Sequence, residues 1–503
     1  MKNTVNVILF LVVIGGIGFL SREYLHGDIF HYFSILLTLS VIFIGFMIFL
    51  ENRHPAQTVT WLVVLGGFPL FGFFFYLLFG RSYRKERMFR KKYFLDKQNF
   101  LEIKELRKQN LLKVQEMGAD YRKLFILAEK MGNSPISFAT ETKVLTNGGE
   151  TFSSIKEALL SAEHHIHLEY YIVRDDDLGN EIKNILIQKA RQGVKIRFLY
   201  DAVGSWTLSK KYKNDLRSEG IEVVAFGPVK IPFLNNKFNF RNHRKIIVID
   251  GQIGFVGGLN IGNEYLGIDK HIGFWRDTHL MMKGEGVRTL QLIFMQDWYY
   301  MTNHSFLTDE YLAPMLTGNE IYGGVQILAG GPDNEFNVIK DIYFSMITAA
   351  QKSVWIASPY FIPDEDIFSA LKIAALSGID VRLLVPKNPD KRIVFHASRS
   401  YFPDLLEAGV KIYEFREGFM HSKIVIIDGE LASIGTSNMD MRSFHLNFEV
   451  NAFLYQTESV KKLSHDFIQD LLTSDELHIE TFQNRNFGLR LLESLSRLLS
   501  PLL

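Results

Sequence analysis

His243-Arg-Lys245-Ile-Ile-Val-Ile-Asp250 and His421-Ser-Lys423-Ile-Val-Ile-Ile-Asp428 are one pattern written twice, 178 residues apart. Each is followed at the same offset by a small-residue turn and an asparagine: Gly257-Gly258-Leu-Asn260 in the first, Gly435-Thr436-Ser-Asn438 in the second. A single string of this form arises by chance in a chain of this size on the order of 0.1 times, so one copy would be weak evidence. Two in register are strong evidence of duplication.

The flanking sequence repeats as well. His165-Ile-His-Leu-Glu-Tyr-Tyr-Ile172, Gly193-Val-Lys-Ile-Arg-Phe-Leu-Tyr200 and Glu219-Gly-Ile-Glu-Val-Val-Ala-Phe226 are answered by Ser353-Val-Trp-Ile-Ala-Ser-Pro-Tyr-Phe361, Gly378-Ile-Asp-Val-Arg-Leu-Leu-Val385 and Ala408-Gly-Val-Lys-Ile-Tyr-Glu-Phe415. Short β-rich runs alternating with helical stretches predict an α/β fold, its mixed sheet largely parallel with helices on both faces. The period is too long for a solenoid, so two fused domains related by a pseudo-two-fold axis are expected, at 136–315 and 316–485. The seam is expected near Thr308 to Gly331, where glycine and proline collect.

Charge divides the chain further. Of 111 charged residues only six, in equal sign, fall in the first 80 positions, leaving the rest with the charge density of a soluble protein. The first 80 residues carry apolar runs at 5–20, 32–50 and 59–79, which predict two to three transmembrane helices, since a span needs roughly 20 apolar residues. The first run also fits a signal peptide, but Ser21-Arg-Glu-Tyr24 follows where a small-residue cleavage site belongs. Between 81 and 97 lie eight Lys or Arg and two acids, a collar of net +6. Such a collar sets topology and attracts anionic headgroups, predicting a multi-pass cell-membrane protein with everything after residue 80 cytoplasmic. Connecting helices are expected over 98–135, and an amphipathic helix over 486–503. Core packing is the default for its leucine stripe, and interfacial placement the alternative. The absence of cysteine excludes disulfides and thiolate-bound metal.

The paired motifs carry the chemistry. On an extended strand residues i and i+2 share a face, so each histidine stands beside its lysine while Ile246, Val248, Ile424 and Ile426 turn to the core. Two copies facing across a dyad bring His243, His421, Lys245, Lys423, Asn260 and Asn438 together. A phosphodiester suits this set: Lys and Asn bind its non-bridging oxygens, one histidine attacks phosphorus, and the other protonates the leaving alkoxide. An imidazole so used needs a carboxylate on its far nitrogen. Asp277 is the candidate for the first motif and Glu449 for the second. Asp250 and Asp428 complete the catalytic motifs but fall on the opposite strand face, which assigns them structural hydrogen bonds near the dyad and no proton transfer.

These motifs resemble the phospholipase D superfamily. With Glu51-Asn-Arg-His-Pro55, Trp61-Leu-Val-Val-Leu65 and Tyr76-Leu-Leu-Phe-Gly80 ahead of them, nearly the whole chain resembles bacterial cardiolipin synthases. The resemblance implies a transesterification without metal or other cofactor, through a phosphatidyl-histidine. One phosphatidylglycerol donates its phosphatidyl group, and a second accepts it, giving cardiolipin and glycerol. It also implies that His243 is the nucleophile and His421 the general acid/base, an order the symmetric residues leave open. Gly258 departs from the superfamily, which often has Ser there; Thr436 keeps a hydroxyl.

His165, His167 and Glu169 alternate on one strand face and are expected to line the pocket beside Tyr170 and Tyr171, not to hold a metal. A membrane-bound nuclease is a rival for the same site. It is disfavoured by the predicted spans and by the net charge of −5 over 98–503, a poor nucleic-acid surface. A hydrolytic phospholipase D or another headgroup-exchanging phosphatidyltransferase differs only in the acceptor, and an inactive scaffold would not need both motifs intact. Anionic membrane lipid is the expected partner; the sequence admits a homo-oligomer and does not specify one.

Overall fold

A computed structural model describes residues 42, 45, 46, 55–67, 72, 113–228, 239–269, 273–306, 308–312 and 323–500. Residues 1–84 and 85–503 form separate compact units. In the first, the run expected to span at 59–79 contributes the helix Pro55–Gly67, 13 residues long. Among the described residues no helix is long and apolar enough to cross a membrane. The first run, the basic collar and all of the second run but residues 42, 45 and 46 lie outside the described residues.

The second unit holds two sheets of the same design. In the first repeat the strands are β1 (Thr140–Thr146), β2 (His165–Tyr170), β3 (Lys195–Asp201), β4 (Glu222–Phe226), β5 (Ile246–Ile249), β6 (Ile253–Gly257), β7 (Phe274–Arg276) and β8 (Thr278–Gly284). All but β7 form one sheet in the order β1-β8-β6-β5-β2-β3-β4. The second repeat supplies β9 (Gly324–Gly330), β10 (Ser353–Ala357), β11 (Phe361–Ile362), β12 (Asp380–Pro386), β13 (Lys411–Phe415), β14 (Gly418–Met420), β15 (Ile424–Ile427), β16 (Leu431–Gly435), β17 (Met439–Asp440), β18 (Glu449–Tyr455) and β19 (Ser474–Leu477). Its sheet reads β9-β18-β16-β15-β10-β12-β13 in matching order, with β19 added at the edge. The short strands β11 and β17 pair with each other.

The sheets are mixed as expected, but they are not largely parallel. Only β2-β3-β4 and β10-β12-β13 run parallel; every other pairing in the two sheets is antiparallel. The cause is local. Asp250-Gly251 and Asp428-Gly429 all have positive φ (53°, 66°, 56° and 68°), the mirror-image turn that folds a strand straight back on itself. Each motif strand therefore begins a hairpin instead of a crossover.

Alternate residues of the motif strands face a core shared by both repeats. Ile246 and Val248 pack in one buried cluster with Ile424 and Ile426, joined by Leu290 and Phe467 from the helices Glu285–Thr302 and Glu458–Leu472. The helix Ala119–Gly132, expected as a connector, is part of the second repeat's packing. Its Leu124, Phe125 and Ala128 lie in one cluster with Leu328 and Val338.

Candidate active site

Two strand contacts between the repeats build the site. Strand β14 pairs in parallel with β7, setting Met420 opposite Arg276, and the His421 N–H donates to the Arg276 carbonyl at 2.7 Å. The mirror contact is a parallel bridge between Asn242 and Phe448, where the His243 N–H donates to the Phe448 carbonyl at 2.9 Å. Each histidine is thus held beside the residue that follows its partner in the other repeat.

The consequence reverses an expectation. Glu449 lies 2.9 Å from His243 Nδ1, and Asp277 lies 2.6 Å from His421 Nδ1. The carboxylate following each motif serves the histidine of the opposite motif. Sequence offset pairs each acid with its own motif, but β7 and the Asn242 bridge cross the interface and deliver each acid to the other side. Both carboxylates are fully buried. Asp277 also accepts from Trp275 Nε1 at 3.2 Å and from the Thr278 N–H at 2.8 Å. Glu449 accepts from the Thr436 hydroxyl at 2.5 Å and from Asn447 Nδ2 at 3.1 Å.

A carboxylate at Nδ1 favours the proton on that nitrogen and leaves Nε2 as the lone pair; at His421 the Lys423 ammonium also lies 2.9 Å from Nδ1. Neither Nε2 has a hydrogen-bond partner among the described residues. Burial pushes His243 down to about 4 against the pull of Glu449, and His421 down to about 3, where Lys423 adds to the effect of burial. Both rings are neutral near pH 7. Burial also lowers Lys245 to about 7 and Lys423 to about 8. The Lys423 charge lowers Lys245 further, so the two motifs share one electrostatic environment. For Asp277 and Glu449, burial would raise the carboxyl, but the facing histidine and lysine outweigh it and hold both below the usual range. The lysines fold back on their own motifs: Lys245 donates to the His243 carbonyl at 2.7 Å and Lys423 to that of His421 at 2.6 Å. Each ammonium has further N–H groups to offer an anion.

The remaining expected residues divide. Asn260 is engaged by the fold, accepting from the Ile172 N–H at 3.0 Å and donating to the Tyr265 hydroxyl at 3.1 Å. The buried Asn438 hydrogen-bonds the Asp440 carboxyl, and its Oδ1 has no partner among the described residues. Asp250 and Asp428 make the structural hydrogen bonds expected of them, at a distance from the two histidines. They sit past the far ends of β5 and β15, about 20 Å of extended chain from their histidines. Asp250 accepts from the N–H groups of Glu163, His164 and His165 at 2.7–2.8 Å, and Asp428 from those of Gln351, Lys352 and Ser353 at 2.7–2.9 Å.

His165 and His167 do not line the pocket. They turn under the helix Glu285–Thr302, where His167 Nδ1 meets Gln291 Oε1 at 3.1 Å and its ring stacks on Phe294 at 4.7 Å. Glu169 contacts Asn242, just ahead of His243. Burial, with Asp297 nearby, holds the Glu169 carboxyl well above the usual range. Tyr170 is core, and only Tyr171 reaches the site, its ring 4.9 Å from that of His243. The His421 ring lies 4.8 Å from that of Trp275 and 5.7 Å from that of Phe419, aromatic walls that no spacing rule singles out. Proximity to Asp277 in the sequence is the one signal that points to Trp275.

The family model described as "Cardiolipin synthase, PLD-like domain" matches residues 155–298 and 343–471, covering both motifs. The chain belongs to the cardiolipin synthase family of the phospholipase D superfamily. A second model, "Phospholipase_D-nuclease N-terminal", matches residues 34–81. The chain is 64% identical to a cardiolipin synthase of Geobacillus sp. (strain WCH70) and 61% identical to one of Halalkalibacterium halodurans, over the full length of each pair. Among solved structures it is similar in fold to a phosphatidylserine synthase of Haemophilus influenzae. The TM-score is 0.57 at 15% identity, covering 76% of this chain and all of that one.

Proposed function

We propose that the chain joins two phosphatidylglycerol molecules into cardiolipin, with release of glycerol. The observation that carries this reading is the pair of histidines, each with Nδ1 held by a buried carboxylate from the other repeat. In the first half-reaction His243 Nε2 attacks the donor phosphorus. The bond from phosphorus to the headgroup oxygen breaks, and that oxygen takes a proton from His421 as glycerol leaves. In the second half, His421 removes a proton from the terminal hydroxyl of a second phosphatidylglycerol. That oxygen then displaces His243 from phosphorus, restoring both rings.

A neutral His421 has no proton to give from Nε2. The entering phosphodiester supplies the remedy: its negative charge between the rings raises their affinity for a proton, so one becomes imidazolium only when substrate is bound. Lys245 and Lys423 meet the non-bridging oxygens, and Asp277 steadies the imidazolium on His421.

The apolar runs at 5–20, 32–50 and 59–79 and the collar at 81–97 support a membrane-held enzyme with its catalytic body on the cytoplasmic side. Purified enzyme in vesicles containing phosphatidylglycerol as the only reactive lipid, with chelator present, is expected to yield cardiolipin and free glycerol in equal amounts. A requirement for a CDP-activated lipid, or phosphatidic acid as the main product, would exclude the synthase reading.

A further inference from the structure

The helix Phe487–Leu498 is amphipathic in the opposite sense to a core element. Its inward face is polar: Glu493, 3% exposed, pairs with Arg485 and lies 3.9 Å from Arg399, and the Arg497 guanidinium sits 4.5 Å above the Tyr401 ring. Its outward face is apolar, with Phe487 80%, Leu491 48%, Leu495 53% and Leu498 63% exposed. The default expectation of core packing is therefore overturned. The charged side is satisfied by the protein, and the leucines are left outside. A continuous exposed stripe of this kind marks a surface that meets something apolar.

Its position says what. The helix rests on Arg392–Arg399, which follows the loop after β12. That loop forms a cleft in which the Tyr360 hydroxyl meets Asp390 at 2.5 Å and Lys391 lies over the Tyr360 ring; Phe419, beside His421, lines the same cleft. The matching loop of the first repeat, after β3, carries Trp206, 82% exposed. Two residues back, Gly204 lies against Tyr171, which contacts His243. An exposed tryptophan thus rises from one loop beside the two-histidine site, and the leucine helix rests on the element that follows the equivalent loop of the other repeat. Exposed Lys391, Arg392 and Arg490 accompany them, the charge complement of an anionic surface.

We propose that the leucine face of this helix is a seat on the surface of an anionic phospholipid bilayer, with Trp206 on the opposite lip. The leucines enter the interface, the three cations meet headgroup phosphates, and the mouth of the site is held toward the leaflet. The role assigned to this seat rests on the phosphatidyl-transfer reading; the seating itself is measurable without turnover.

The chain has no cysteine, so single-cysteine variants of the full-length protein can each carry one environment-sensitive fluorophore. In vesicles of phosphatidylglycerol and phosphatidylcholine, labels at Leu495→Cys and Trp206→Cys are expected to be quenched by brominated lipid and shielded from aqueous iodide. The control Glu157→Cys, exposed on the helix Asn147–Ser161, should show the reverse. Iodide quenching at 495 equal to that at 157 would overturn the proposal. So would shielding from both quenchers, which would mean that protein covers the face, from a second copy or from this chain's own first 84 residues. The triple variant Leu491→Ser, Leu495→Ser, Leu498→Ser is expected to raise the apparent KM for vesicle phosphatidylglycerol about tenfold, from lost interfacial burial. Turnover of detergent-dispersed substrate should be unchanged; an equal loss in detergent would assign the leucines to the fold and overturn the proposal. Lipid quenching without cardiolipin formation would instead reject the transfer reading alone.

Discussion

Asp277, carried by the first repeat, stands 2.6 Å from Nδ1 of His421 in the second. Glu449 stands in the same relation to His243. The exchange makes each half of the catalytic machinery depend on both repeats, so the site exists only when the interface between them is formed.

The crossed pairing predicts which double variants will be non-additive. Asp277→Asn removes the charge that supports an imidazolium on His421 and is expected to lower kcat by roughly 10²–10⁴-fold, the usual range for general acid–base assistance. Adding His421→Ala should cost little more, because the two act as a unit. Glu449→Gln should couple to His243→Ala in the same way. Double-mutant cycles on cardiolipin formation check this, and coupling of Asp277 to His243 instead would contradict the geometry.

A donor whose leaving group needs no proton separates the two histidines. With phosphatidyl-p-nitrophenol, His421→Ala is expected to release one p-nitrophenol per site in a burst and then stall with a phosphatidyl-enzyme. His243→Ala should show no burst. The reverse pattern would exchange their roles.

The buried lysines set an alkaline limit. A lysine binds phosphate as the ammonium, and burial lowers Lys245 to about 7 and Lys423 to about 8. For the free enzyme, kcat/KM should fall as pH rises through that range. On the acid side it should fall by half near pH 4, where His243 is half protonated. Stability moves the other way. The unfolded lysine at 10.5 holds more protons than the folded one, so unfolding free energy rises between about pH 7 and 10.5. The depressed histidines likewise favour folding as pH rises from about 4 to 6.5. Activity and denaturation profiles over pH 5–10 should therefore diverge above neutrality.

Much of this was legible in the residues. The duplicated motifs fix the number of repeats, and β-rich runs mark the strands that flank them. The pairing of His421 with Asp277 was not legible, because it depends on the contact of β14 with β7, each three residues long and from different repeats. For the leucine stripe of Phe487–Leu498 the sequence left core packing as the default and interfacial placement as the alternative. A leucine stripe reads as core unless it is known that Arg399 and Arg485 draw Glu493 inward. His165 and His167 share a face, as alternation requires, but which face meets the site is decided by the helix laid over them.

Asp250 and Asp428 should behave as structural residues. Each carboxylate accepts three backbone N–H groups at a turn with positive φ. Replacement by alanine removes bonds worth about 1.5–3 kcal/mol each to a charged acceptor and adds backbone strain. Asp428→Ala is expected to shorten the thermal-inactivation half-life sharply while the surviving protein keeps near-normal KM and pH profile. Loss of turnover in fully folded protein would restore a catalytic role.

Gly258 tests the asymmetry between the repeats. A Cβ there would lie 2.0 Å from Asp277 Oδ1, so the position that elsewhere in the superfamily often carries a hydroxyl has no room for a side chain. Its counterpart Thr436 donates to Glu449, whose extra methylene gives that room. Gly258→Ser should push Asp277 off His421 and lower kcat nearly as far as Asp277→Asn, with little change in KM. Thr436→Val removes one hydrogen bond to Glu449 without a clash, and its smaller loss should be read against Thr436→Ser, which restores the hydroxyl and with it the rate. If Gly258→Ser instead retained full turnover, the close packing of Asp277 against Gly258 would not be what positions His421.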